Sequence, residues 1–89
     1  MISEEIIIIN KLGLHARAAA KLVATASAYQ AIIELEKGTQ RINAKSIMGV
    51  MMLAASKGTS LTVHADGEDE VDALKAINTL INDRFGEGE

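Results

Sequence analysis

The feature that most constrains this chain is the absence of cysteine from a sequence of only 89 residues. Without cysteine the chain has no disulfide, no thiolate zinc site and no cysteine nucleophile, so packing alone must stabilise it. A chain this short has room for one hydrophobic core, and we expect a single domain spanning residues 1–89. Hydrophobic residues make up 48% of the chain and charged residues 24%, a globular composition that excludes a disordered linker.

The sequence carries no pattern of a membrane-spanning or exported protein. The longest apolar stretches, 6–9 and 47–55, fall well short of the ~18 residues that a bilayer crossing requires. The first five residues are Met-Ile-Ser-Glu-Glu, which is acidic where a signal peptide is basic. We therefore expect a cytoplasmic protein that does not span a membrane.

Charge is segregated along the chain. Residues 10–57 contain seven basic and two acidic side chains, whereas residues 66–89 contain two basic and eight acidic ones. The net charge of −3, with one Tyr, one Phe and no Trp, argues against nucleic-acid binding, which requires a broad basic face and aromatic stacking platforms. The basic middle of the chain suits a small anion or an acidic protein partner.

Hydrophobic periodicity predicts the element order β-α-β-β-α-β-α. The predicted elements are strands at 4–9, 31–36, around Ile42 and at 61–65, with helices at 16–27, 47–55 and 71–82. Short strands with one polar face each imply an α+β open-faced sandwich, in which a four-stranded antiparallel sheet is covered on one side by three helices. The last helix is expected to bury Val71, Leu74, Ile77 and Ile81, and residues 86–89 are expected to be frayed.

The two histidines differ in the chemistry that they can support. Alternation in its predicted strand points His64 away from the core, as an exposed residue whose nearest acid is Asp66. Two histidines without cysteine make a poor metal site, so we expect neither a metal nor a cofactor.

His15 follows a loop containing Gly13 and precedes the first turn of the first predicted helix. Backbone N–H groups there point outward and the helix dipole favours anions. Arg17 adds a forked cation that suits phosphate oxygens, and a neutral imidazole is a competent nucleophile, so a phosphohistidine is chemically reasonable. The same spacing fits a histidine that only caps the helix of a non-catalytic docking module. A small hydrolase is a weaker alternative, because the sequence offers no second acid, base or metal ligand near His15.

Two stretches resemble one protein family. Residues 13–20, Gly-Leu-His-Ala-Arg-Ala-Ala-Ala, resemble the active-site loop of the histidine-containing phosphocarrier proteins called HPr, and residues 43–51 are similar to the second-helix motif of that family. The resemblance covers essentially the whole chain. Sugar-branch members commonly have proline after the arginine, where this chain has Ala18. That alanine and the sequence of residues 51–55 are more similar to the nitrogen-branch carriers, called NPr.

The resemblance implies a phosphocarrier of the phosphoenolpyruvate-dependent phosphotransferase system. His15 would accept a phosphoryl group on Nδ1 from a histidine of an Enzyme I-type protein and pass it to a histidine of an Enzyme IIA-type protein. Arg17 would stabilise the group in transit. Such a protein is a carrier rather than a stand-alone enzyme, and we expect a monomer. The nitrogen-regulatory branch is expected, with the sugar-transport branch as the alternative.

Ser46 has two predicted roles that are compatible with each other. Its position predicts the N-cap of the second helix, where the hydroxyl accepts a backbone N–H. The resemblance implies that it aligns with a serine that a dedicated HPr kinase/phosphorylase modifies in some lineages, placing a charge of about −2 beside a partner surface.

The second predicted helix is apolar on every side instead of along one stripe, which indicates either full burial or contact with another protein. We expect Val50 and Leu53 to be core residues. The expected partner surface consists of apolar side chains ringed by basic ones, namely Ile47, Met48 and Met51 with Arg17, Lys21 and Lys45.

Overall fold

The computed structural model describes residues 1–88. Its elements are β1 (Ile2–Ile7), α1 (Ala16–Ser27), β2 (Ile32–Lys37), β3 (Gln40–Asn43), α2 (Ile47–Met52), β4 (Ser60–Asp66) and α3 (Glu70–Asn82). The predicted order is confirmed, and a short 3-10 turn at Arg84–Gly86 follows α3. Among these 88 residues, no helix combines the length and the apolar character needed to cross a membrane.

The four strands form one antiparallel sheet with the spatial order β1-β4-β2-β3. Ala65 of the central strand β4 lies between Ile2 of β1 and Ile33 of β2. Because strand side chains alternate between faces, one face of the sheet carries the buried residues, among them Leu61 and Val63. The three helices cover this face, so the predicted open-faced sandwich is confirmed.

Helix α1 has the predicted bounds, and its buried face consists of Ala18, Ala19, Leu22 and Ala26. The buried face of helix α3 differs from the predicted one. Val71 is 64% exposed, and Ala73 is buried together with Ile77 and Ile81. The buried face centres on Ile77, and at 3.6 residues per turn Val71 lies about 120° around the helix from it. Val71 therefore projects into solvent.

Strand β1 begins at Ile2 instead of residue 4, and two predicted C-terminal boundaries are also wrong. Strand β1 ends at Ile7 instead of residue 9, because Ile8 pairs with a loop: its N–H donates to the carbonyl of Thr59 at 3.0 Å, and its carbonyl accepts from Gly58 at 2.7 Å. Helix α2 ends at Met52 instead of residue 55, because Ala54 turns to φ 49° and leaves the helical conformation.

The C-terminal segment is ordered where fraying was predicted. Phe85 is only 1% exposed and lies in the core, and the N–H of Gly86 donates to the carbonyl of Asp83 at 3.0 Å. The carboxylate of Glu87 is hydrogen bonded to two side chains. The prediction of fraying is therefore wrong for residues 86 and 87, and Glu89 lies outside the described residues.

Candidate active site

The loop before α1 is fixed by close packing of backbone on backbone. Gly13 adopts φ +67°, and a Cβ at this position would lie 2.5 Å from the carbonyl oxygen of Ala55. The N–H of Leu14 donates to the same carbonyl at 2.8 Å, and the Leu14 side chain is buried. Only glycine fits such a conformation and contact. The loop is thereby held against the segment that follows α2.

His15 occupies the N-cap position of α1, with extended backbone dihedrals and a carbonyl that accepts the N–H of Ala19 at 2.8 Å. Its imidazole makes no capping hydrogen bond, so the hypothesis that the side chain of His15 serves as a helix cap is wrong. The ring is 28% exposed, and its Nε2 instead contacts a carboxylate oxygen of Glu87.

Glu87 and Asn10 complete the site, and sequence reasoning missed both. Glu87 Oε2 contacts His15 Nε2, while Glu87 Oε1 accepts a hydrogen bond from Asn10 Nδ2 at 2.9 Å. Asn10 is fully buried, and the same amide nitrogen donates to the carbonyl of Gly13 at 2.8 Å. Hydrogen bonds from Asn10 and then from His15, with the nearby charges of His15 and Lys21, lower the pKa of Glu87 against the opposing effect of desolvation.

The C-terminal segment reaches His15 because it is anchored twice. The Phe85 ring is buried in the core, and the Phe85 carbonyl accepts a hydrogen bond from Lys21 Nζ at 2.6 Å. Gly86 then turns with φ +75°, which brings the next residue, Glu87, over the start of α1. The ammonium group of Lys21, predicted to face a partner, therefore also holds this segment.

An open cleft of about 650 Å³ surrounds the imidazole, and its lining residues are Lys11, Leu12, His15, Ala16, Arg17, Lys21, Gly86 and Glu87. Arg17 is exposed, and its guanidinium makes no hydrogen bond or ion pair with any residue from 1 to 88. The first N–H groups of α1 open at the same place, so their partial positive charge adds to that of the basic side chains. The cleft is suited to an anion beside His15.

The exposed side of α2 is a second candidate feature of the protein. Val50 and Leu53 are buried, whereas Met48 is 70% exposed and Met52, which sequence reasoning left out of the partner surface, is 65% exposed. Ile47 and Met51 are also exposed, to 39% and 43%. We call Ile47, Met48, Met51 and Met52 the α2 patch.

The two polar residues predicted around α2 are held by local contacts. Ser46 is the N-cap of α2 as predicted, and its Oγ accepts the N–H of Gly49 at 3.2 Å. Lys45 Nζ donates to the carbonyl of Tyr29 at 2.7 Å, which ties the start of α2 to the end of α1. Neither contact removes Ser46 or Lys45 from the surface, since both are half-buried.

His64 lies on the sheet face opposite the helices, as predicted, but it is less exposed than expected. Its Nε2 is 2.8 Å from Glu36 Oε1, and its side chain is only 16% exposed. Within the part of the chain that the structure describes, no group of three or more His, Cys, Asp or Glu side chains is arranged to hold a metal ion.

Comparison with known proteins identifies the family to which this site belongs. The family model described as "PTS HPr component phosphorylation site" matches residues 2–83. The chain belongs to the HPr family. The HPr protein of Pseudomonas aeruginosa is 56% identical over 86 residues, covering 96% of both chains, and that of Neisseria meningitidis serogroup A is 53% identical over the full length of both.

Solved HPr structures share the fold as well. The chain described as HPr-C-His from Thermoanaerobacter tengcongensis superposes with a TM-score of 0.95 at 48% identity, covering 98% of each chain. The protein is therefore an HPr-type phosphocarrier component of the phosphotransferase system. These comparisons do not separate the sugar branch of HPr proteins from the nitrogen branch.

Proposed function

We propose that this HPr family member carries a phosphoryl group on His15 from an Enzyme I-type donor to an Enzyme IIA-type acceptor. The observation that most supports this function is the placement of a half-buried imidazole at the start of α1, in a cleft lined by Arg17 and two lysines. Contact with Glu87 engages Nε2, which leaves Nδ1, the acceptor atom of the family, as the ring nitrogen for the phosphoryl group.

The cleft contains the groups that phosphoryl transfer requires. Negative charge is spread over three phosphoryl oxygens in the transition state, so positioned cations and N–H donors lower the barrier. Arg17 supplies a forked cation without an internal partner among residues 1–88, and the first turn of α1 supplies backbone N–H groups. The open shape of the cleft allows a histidine of either partner to approach His15.

The α2 patch is proposed as the surface on which both partners dock. Flexible methionine side chains adapt to different partners, as a shuttle requires. Lys45, just before α2, contributes positive charge near the patch, and the cations of the cleft, among them Lys21, add to the charge that would steer acidic partners.

Mass spectrometry after incubation with phosphoenolpyruvate and an Enzyme I-type protein tests the proposal. The unaltered chain and a His64→Ala control should each gain one acid-labile phosphoryl group, and His15→Ala should gain none while remaining folded. Removing a half-buried side chain at a loop-to-helix junction, away from the hydrophobic core, should cost little stability. Phosphorylation of His15→Ala, or its absence from the unaltered chain, would refute the assignment.

The same experiment separates the alternatives. A docking module would gain no phosphoryl group, and a hydrolase would release it to water without an acceptor protein. Glu87 supplies a carboxylate next to His15, so the prediction that no second acid or base lies near His15 is wrong. However, both oxygens of Glu87 already accept hydrogen bonds from Asn10 and His15, so this carboxylate is poorly placed to activate water.

We further propose that the carrier serves the nitrogen-regulatory branch. Ala18, which is fully buried in α1, stands where common sugar-branch members have proline, and this difference supports the proposal. The sugar branch is the second candidate, since the relatives are named HPr. Comparing transfer rates to nitrogen-branch and sugar-branch Enzyme IIA proteins tests the proposal, which fails if the sugar-branch acceptor is faster.

Three proposals about the state of the carrier complete this function. Ser46 is a candidate for phosphorylation by an HPr kinase/phosphorylase, because it is half-buried beside the α2 patch and a phosphate there would bring negative charge to the docking surface. We propose a monomer, since the cleft and the patch are each formed by one chain. We also propose a cytoplasmic location, in keeping with the acidic first residues. Sedimentation at working concentration tests the monomer.

A further inference from the structure

A chain of hydrogen bonds connects the backbone before α1 to the C-terminal segment and ends at the imidazole of His15. It runs from the Gly13 carbonyl through Asn10 and both oxygens of Glu87 to His15 Nε2. The residues it joins are 72 and 77 positions apart in the sequence. Nothing in the local motif around His15 requires this connection.

Burying the polar side chain of Asn10 costs free energy, which indicates that its hydrogen bonds have a role. It is the one polar side chain that is fully buried within residues 1–88, and its Oδ1 has no hydrogen-bond partner among them. An unpaired buried acceptor is unfavourable, and an apolar residue would avoid that cost. Unlike an apolar residue, the asparagine provides an amide N–H group that donates to Glu87.

We propose that Asn10 and Glu87 are positioning residues that hold His15 with its proton on Nε2 and its lone pair on Nδ1. The inference rests on the proposed function only for its consequence in phosphoryl transfer. A carboxylate can only accept a hydrogen bond, so the ring nitrogen that contacts it is the one that carries a hydrogen. The hydrogen bond on one ring nitrogen thereby determines which nitrogen is the nucleophile.

The same contact serves the phosphorylated state. The Nδ1 lone pair forms the new N–P bond as the bond between phosphorus and the donor histidine breaks, and the donor nitrogen keeps that electron pair. The Nε2 proton stays in place, so the phosphorylated ring of His15 becomes cationic and Glu87 balances its charge. On transfer to the acceptor the N–P electrons return to Nδ1 and the ring is neutral again.

The surroundings keep Glu87 ionised for this role. The charged and titratable groups that line the cleft with it are His15 and three cations, namely Lys11, Arg17 and Lys21. The amide of Asn10 donates to one carboxylate oxygen from the opposite side, and the pKa of Glu87 lies below its ordinary value. Anchoring of Phe85 in the core restricts the movement of the segment that carries Glu87.

The test begins with histidine tautomers measured by ¹⁵N NMR at alkaline pH in the full chain, which needs no partner protein. The unaltered protein should show His15 as the Nε2–H form. Glu87→Gln keeps an acceptor oxygen and should preserve that form, whereas Glu87→Ala should admit the Nδ1–H form. Glu68→Ala is the matched control, since it removes an equally negative but exposed carboxylate. An unchanged tautomer in Glu87→Ala would overturn the inference.

Transfer kinetics then test the role of the charge. Both Glu87 variants should slow transfer from the phosphorylated donor by about tenfold, with an altered pH profile, because each lacks the charge that balances the phosphorylated ring. Rates and pH profiles equal to those of Glu68→Ala would overturn this role. If the unaltered chain accepted no phosphoryl group, the proposed function would fail, while the tautomer measurement would still decide whether Glu87 holds the ring.

Discussion

Replacing Met48 with aspartate tests whether the α2 patch is the docking surface. Met48 is 70% exposed, so most of its side chain remains available for burial against a partner. Full burial of a methionine side chain contributes roughly 1.5–3 kcal/mol, which leaves about 1–2 kcal/mol for binding. Desolvating the new carboxylate without a partner adds a further penalty of about 1 kcal/mol or more. The total of about 2–3 kcal/mol predicts a KM roughly 30- to 150-fold higher with either partner.

The fold should tolerate this substitution. Met48 is the second residue of α2, and an acidic side chain in the first turn of a helix interacts favourably with the helix dipole. Loss of an exposed methionine changes the free energy of unfolding by no more than about 0.5 kcal/mol. Thermal unfolding followed by circular dichroism should therefore give nearly the same Tm for Met48→Asp and the unaltered chain.

The assay measures initial rates of phosphoryl transfer against carrier concentration, first from the phosphorylated donor and then to the acceptor. Val71→Asp is the matched control, because Val71 is 64% exposed and lies in the first turn of α3, outside the α2 patch. Met48→Asp should raise KM with both partners, and Val71→Asp should raise it with neither. Equal KM values for the two variants, or saturation of Met48→Asp at the concentration of the unaltered chain, would refute the docking argument.

Four further outcomes are expected. Arg17→Ala should slow transfer by ~10²-fold at saturating partner without changing Tm, because one positioned cation is lost from the transition state. Ser46→Ala should lower the free energy of unfolding by about 1 kcal/mol, measured in urea, because α2 loses its N-cap. Gly13→Ala should lower it by about 2 kcal/mol or more and slow transfer, whereas Gly38→Ala, with a similar φ and open space around it, should cost only about 1 kcal/mol. Hydrogen bonds from the backbone N–H groups of Gln30 and Ala31 lower the pKa of Asp69. The ionised carboxylate should therefore stabilise the fold at neutral pH, and this stabilisation should decline as the pH falls below the ordinary pKa of 3.8 toward the lowered value. Urea titrations at several pH values should show a weaker pH dependence of stability for Asp69→Asn.

The helices and strands best predicted from the sequence are those whose hydrophobic pattern repeats along their own length. Helix α1 has the predicted bounds because its apolar residues recur at helical spacing over three turns. Strand β2 alternates as predicted, with Ile33 and Leu35 fully buried. In both elements the residues that decide the conformation lie close together in the chain, so local reading suffices.

The boundaries that sequence missed depend on distant contacts. The apolar run through Ala55 suggests a longer α2, but the Ala55 carbonyl is engaged by Leu14, from the loop before α1. Similarly, Ile8 pairs with Gly58 and Thr59 instead of extending β1 into Ile9. No pattern within either segment contains the partner that ends it.

The residues of the candidate site also differ in whether local sequence or a distant contact determines their role. His15 and Arg17 are two positions apart at a helix start, so their chemistry can be predicted from the sequence. Glu87 lies in a stretch of Gly and Glu residues that composition alone assigns to a frayed end. The one signal that the sequence offers is the polar Asn10 directly after four isoleucines, and it does not say which partner Asn10 contacts.

The orientation of the nucleophile therefore depends on complete folding. Phe85 is buried in the core, and Lys21 from α1 donates to its carbonyl at 2.6 Å. These contacts hold the segment in which Glu87 accepts a hydrogen bond from Asn10 and contacts His15. Residues near the two ends of the chain therefore complete the site together. The local motif supplies the nucleophile, and the fold as a whole supplies its orientation.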